Sequence, residues 1–157
     1  MKDLQTAVLK NQGQSLLEVL IALAVIILVA TGLIRAVITS IKAADFSRKS
    51  SQATSYCQQA MEDIRSYRDQ IGWTNFSNNS NGTSLLYGEA DTLANPLNLG
   101  ACTYPTSFTG NINNIFMRCI QLDKGGDNVK ATVTVYWQDA DNVIHSSQVV
   151  SLFTKWQ

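Results

Sequence analysis

Few side chains in this sequence could do chemistry, and their spacing limits what they can do together. The only histidine, His145, is followed by Ser146 and Ser147. Adjacent residues of a strand point to opposite faces, so His145 and Ser146 form no nucleophile–base pair. A single histidine also argues against His-based acid–base catalysis and against a zinc site with several imidazole ligands. Asp139, Asp141 and Asn142 offer oxygen ligands within one turn, and Asp123 and Asp127 flank Gly125-Gly126. Neither spacing completes a calcium loop, and both read as polar hairpin turns. There is no phosphate-binding glycine loop. The expectation is a chain with no catalytic residue, cofactor or metal, and so not an enzyme.

One carboxylate is harder to dismiss. Glu18 stands near the start of an apolar run, with 16 uncharged residues following it from Val19 to Ile34. A charge inside such a segment costs about 2.5–3.5 kcal/mol on insertion scales, so something must answer it. A cut after Gly13 would create an α-amino group on Gln14, four residues from Glu18. In a staggered array the amine of one subunit could neutralise the carboxylate of its neighbour. The plainer alternative is a carboxylate that snorkels to the headgroup level.

The elements that hold these residues follow from the pattern around them. The 157 residues carry 12 Lys and Arg against 12 Asp and Glu, and only 15% of them are charged. That length suits one modest domain. Balanced charge speaks against a strongly basic nucleic-acid binder. From Leu16 to Ile34 a helix would span roughly 28 Å, against a hydrocarbon core about 30 Å thick. A secretory signal fits less well, because the run is long, lacks a small-residue cleavage site and begins with an acid. A buried helix would need a larger core than this chain can supply. The segment is expected to enter a bilayer.

Gly13 followed by Gln14-Ser15-Leu16-Leu17-Glu18-Val19-Leu20-Ile21-Ala22-Leu23 resembles the cleavage and methylation segment of type IV prepilins and type II secretion pseudopilins. Its Leu-Leu-Glu-Val-Leu wording is most similar to V-type minor pilins and I-type minor pseudopilins. The resemblance implies that a prepilin peptidase removes residues 1–13 after Gly13 and methylates Gln14, and that Glu18 docks subunits. It also implies a long helix whose second half packs on a small antiparallel sheet. Three features depart from the family pattern. Gln14 replaces the common Phe or Met, Asp3 weakens the positive leader, and no proline interrupts the apolar helix.

Beyond the membrane segment, Ala53, Cys57, Ala60, Ile64, Tyr67 and Ile71 recur at spacings of 4, 3, 4, 3 and 4, a helical stripe. Upstream, Ile34, Val37, Ile38 and Ile41 form another apolar face. A helix from about Ser15 to Tyr67 would be roughly 80 Å long, too long for so small a domain to bury. The segment 14–71 is therefore expected to be one long helix, with 16–34 as its transmembrane or filament-core part. An exported globular part follows over 72–157.

Within it, 72–110 is rich in Asn, Ser, Thr and Gly and reads as irregular. Trp73, Leu85, Leu86, Tyr87 and Leu93 are expected to pin this loop region to the core. Residues 111–157 read as a three-stranded antiparallel meander. Ile115 to Leu122 precedes a turn at Gly125-Gly126. Val129 to Trp137 alternates with period two, residues 139–142 turn, and Val143 to Phe153 returns. Trp156 is expected to pack on the core or meet a subunit. The fold class is α+β.

Export would place the domain in an oxidising compartment, where Cys102 and Cys119 could bridge. The loop so closed contributes about 3 kcal/mol on the chain-entropy model. Cys57 falls on the helical stripe, and its pairing with either of the others stays open.

The function expected is that of a minor structural subunit of a type IV pilus. Its partners would be other pilin or pseudopilin subunits, the prepilin peptidase, an inner-membrane assembly platform and the lipid bilayer. It would stand in the cytoplasmic membrane with its domain exported, then in a filament outside the cell. A minor pseudopilin of a type II secretion or DNA-uptake system is the alternative with the same fold. A single-pass anchored binding domain or enzyme is the alternative of another class. Without Lys2, Lys10 and Asp3 the chain has 10 basic and 11 acidic residues, so nucleic acid is not indicated.

Overall fold

In the computed structural model the described residues are 2–86 and 112–155, with side chains over 16–85 and 112–155. One helix, α1 (Lys2–Asn79), is followed by β1 (Asn81–Leu86), β2 (Phe116–Gly125), β3 (Asn128–Gln138) and β4 (Ile144–Thr154). The strands form one antiparallel sheet in the order β1-β2-β3-β4. The chain divides into two compact units, 1–45 and 46–157. The fold class is α+β, as the sequence indicates.

In the second unit the helical stripe meets the sheet. Ala53, Cys57, Ala60 and Ile64 are all fully buried, while Tyr67 and Ile71 pack against the edge of the same core. Three of the four buried positions are small, which lets the helix backbone approach the sheet closely. Opposite them lie Val129, Ala131, Val133, Val135 and Trp137, the alternate residues of β3. The Cys57 thiol donates to the carbonyls of Ser147 (3.4 Å) and Val133 (3.8 Å). The Thr54 and Ser147 hydroxyls share a hydrogen bond of 3.0 Å, and the rings of Tyr56 and Phe116 meet edge-on at 5.3 Å. Burial of this apolar face on the sheet is what the stripe's spacing calls for.

The segment after Gly72 differs from the expectation of an irregular loop. Gly72 breaks the helix at φ 76 and ψ 159, a backbone conformation that is essentially glycine's alone. The chain then resumes helical structure to Asn79 rather than leaving it. The reason is tertiary. Phe76 is fully buried among Phe153, Trp73 and Tyr67, at ring separations of 5.7, 6.1 and 6.4 Å. The polar residues that suggested a loop serve the helix instead. Asn75 donates to the Ile71 carbonyl, Ser80 to that of Phe76 and Thr83 to that of Asn79. They satisfy carbonyls at or near the helix end.

The sheet likewise has four strands where three were expected. β1 is the addition, with Leu85 buried and a register shift between Asn81 and Thr83 at Gly82, whose φ is 68. The bulge accommodates the extra residue on that edge strand. Of the other expected pins, Trp73 packs on the core. Tyr87, Leu93, Cys102 and Trp156 lie outside the described residues, as does the side chain of Leu86.

The two predicted hairpins form. Gly125 pairs with Asn128, so Gly126 and Asp127 are the connecting pair, and Gly126 supplies φ 64 at the first position. That is where a two-residue hairpin turn of the II′ class wants glycine. The β3–β4 link spans Asp139 to Val143, with Asn142 at φ 62.

Candidate assembly segment

Along the first unit, α1 presents apolar side chains on every side. Leu16, Leu20, Leu23, Ile27, Ile34 and Ile41 are each more than half exposed, and none of the most apolar stretch is covered by the rest of the chain. A helix that is apolar all round belongs in lipid or among other helices. It is long and apolar enough to cross a membrane. Two of its hydroxyls bond back to the helix: Thr31 donates to the Leu28 carbonyl (2.9 Å) and Thr39 to that of Arg35 (3.0 Å). Back-bonding of this kind hides a polar group from an apolar environment.

Glu18 lies on this exposed surface, and among the described residues no ion pair or side-chain hydrogen bond engages it. Gly13 and Gln14 fall within α1, and their side-chain surroundings are outside the described residues. Arg35 escaped the sequence reading. It is exposed and is the next charge after Glu18. A charge count carried past Ile34 would have found it, because Ala36 to Ile41 is again uncharged.

The residues weighed for catalysis or metal binding have structural work in the second unit. One oxygen of Asp139 accepts from the backbone amides of Asp141 (2.9 Å) and Val143 (2.8 Å) and so shapes the β3–β4 turn. Its other oxygen lies 2.9 Å from His145 Nε2. The bond with His145, then those with the backbone, hold the carboxyl of Asp139 below its ordinary value. The His145 ring sits against Phe46 (5.0 Å) and Trp137 (5.6 Å). No serine joins His145 in a nucleophilic arrangement among these contacts. Asp141 and Asn142 belong to the same turn, Asp123 pairs with Lys130 across β2 and β3, and Asp127 lies in the β2–β3 link. Among the described residues no three His, Cys, Asp or Glu side chains gather as metal ligands.

Cys57 is a free, buried thiol, and desolvation raises its pKa above the ordinary value. Burial makes it an inert packing group. Cys119 is buried on β2, and its expected partner Cys102 lies outside the described residues. An open groove beside α1 is lined by Phe46, Ser50, Ser51, Thr54 and Ser55, hydroxyls without a titratable group.

Residues 9–34 match the prokaryotic N-terminal methylation motif. No curated protein and no solved structure matches the chain. The motif brackets Gly13, Gln14 and Glu18 and ends at Ile34, where the uncharged run is broken by Arg35. Residues 9–34 thus carry a hallmark segment of type IV prepilins and pseudopilins, on an exposed apolar helix that leads into an α+β domain.

Proposed function

We propose that the chain is a minor structural subunit of a type IV pilus and not an enzyme. A prepilin peptidase cuts it after Gly13 and methylates the new amino terminus at Gln14. The segment 16–34 first holds it in the cytoplasmic membrane with residues 72–157 exported. An inner-membrane assembly platform then transfers it into a filament, where the same apolar surface packs against neighbouring subunits. Glu18 and the amine of Gln14 set the register. The observation that carries this reading is the coincidence of the methylation motif with a helix whose apolar surface the chain leaves uncovered. Lipid and neighbouring helices are the two environments that accept such a surface. Within the exported domain Cys119 bridges to Cys102, a reading supported by Cys57 being a free thiol.

Intact-mass spectrometry of the chain from its native membrane tests the proposal. The expected mass is that of a chain beginning at Gln14 with one added methyl group. Loss of two hydrogens in the unreduced sample would report the disulfide. A chain that still begins at Met1 would remove the pilin reading and leave a simple membrane anchor.

A further inference from the structure

Of the asparagines in this chain only Asn81 precedes a glycine. An asparagine amide is open to attack by the backbone nitrogen of the next residue, and glycine, with no Cβ, hinders that approach least. The structure places the pair at an open point of the sheet. Asn81 is exposed at the first position of β1, an edge strand. Pairing with β2 passes from Asn81↔Asp123 to Thr83↔Leu122, so Gly82 is the bulged residue with no partner across the ladder. Its φ is 68, and open space lies where a Cβ would stand. The side chains of Asn75 and Asn78 are engaged, one on the Ile71 carbonyl and the other on Lys124. Among the described residues no side-chain hydrogen bond holds that of Asn81.

We propose that Asn81 is a self-modifying site, where the amide converts to a carboxylate without an enzyme and thereby loosens the β1 edge. The Gly82 nitrogen bonds to the side-chain carbonyl carbon Cγ of Asn81 and gives up its proton to water. The Cγ–Nδ2 bond breaks and ammonia leaves, which closes a succinimide ring. Water then opens the ring at Cγ to give aspartate, or at the backbone carbonyl to give isoaspartate. Water is the only co-reactant, and nothing is oxidised or reduced. Either product places a carboxylate opposite the exposed Asp123, and like charges directly across a strand pair weaken it. Isoaspartate also adds a methylene to the main chain between the helix end at Asn79 and the buried anchor Leu85. The chemistry needs no filament and is independent of the pilus reading.

The test incubates the purified full chain in mild detergent at neutral pH in heavy-oxygen water, beside the same chain unfolded in urea. Peptide mapping by mass spectrometry is expected to find heavy oxygen first at position 81, with isoaspartate there detected by an isoaspartyl methyltransferase. Because an edge bulge opens at little cost, the folded rate should lie within about tenfold of the unfolded one. Asn81→Gln, whose side chain is one methylene longer, should abolish the change and keep the fold. Amide hydrogen exchange in β1 should run faster in the incubated chain, and in Asn81→Asp, than in fresh chain, with β3 unchanged. The site is overturned if position 81 keeps its amide while the unfolded chain converts, or if another asparagine of the folded chain converts first. The loosening is overturned if incubated and fresh chains exchange their β1 amides alike.

Discussion

Two stretches of α1 carry apolar residues to opposite fates. Ile26 is 65% exposed and Ile64 is fully buried, although both are isoleucines in one helix. Around Ile26 the helix is apolar on every side. Around Ile64 the apolar residues form a stripe, and small side chains at Ala53, Cys57 and Ala60 admit a sheet. Among the described residues the second stretch has a partner and the first has none. An uncovered surface of that size has to be covered by something outside the chain, and the methylation motif at residues 9–34 points to which environment that is.

The largest effect expected on this comparison comes from the first stretch. Glu18→Leu makes the segment more apolar, so membrane insertion is retained or improved. Incorporation into filaments is expected to fall below detection, read as the ratio of chain in sheared filaments to chain in membranes. Filaments that keep the variant at wild-type level would reduce the first stretch to a plain tether.

The next effect distinguishes the two isoleucines. Ile64→Ala leaves a cavity against the sheet and is expected to destabilise the exported domain by about 2–5 kcal/mol. Ile26→Ala should leave the domain's stability unchanged, because Ile26 is not among the residues that form that core. Denaturant unfolding of the detergent-solubilised full chain, followed through the domain's tryptophans, makes the comparison. Equal shifts for the two variants would contradict the division of roles along α1.

The smallest effect concerns the polar turn that closes the sheet. The carboxyl of Asp139 sits below its ordinary value of 3.8 because His145 and backbone amides favour the charged form. A lowered folded value means the carboxylate stabilises the fold at pH values above the unfolded value. That contribution fades as pH drops below about 4 through the folded value. Melting curves of the wild type should therefore lose ground to those of Asp139→Asn on acidification through that window. Parallel curves across it would show that the turn does not depend on this ionisation.

Much of this molecule can be read from its residues in order. The apolar run, the acid at Glu18 and the preceding glycine announce the membrane segment and the motif. The 4-3-4 spacing from Ala53 to Ile64 gives the buried helical face, and the alternation from Val129 to Trp137 gives β3. The region over 72–110 is less legible. Its Asn, Ser and Gly content resembles a surface connection, whereas Phe76 draws residues 73–79 into helix and Leu85 draws β1 into the sheet. Local composition reports what a segment prefers in isolation. A buried aromatic ring with three aromatic neighbours outweighs that preference.

The sequence alone determined the amino-terminal half of this protein's character, because a long uncharged run with one carboxylate is chemistry that needs no fold to be recognised. Tertiary structure alone decided which polar residues are structural. It placed Asp139 against His145, used Asn75 and Ser80 to satisfy helix carbonyls and made Cys57 an inert packing group. For Cys57 the partners are backbone carbonyls distant in sequence, on β3 and β4; the bonds of Asn75, Ser80 and Asp139 are local, but they form at a helix end and a turn whose place is set by the closure of the sheet on the helix.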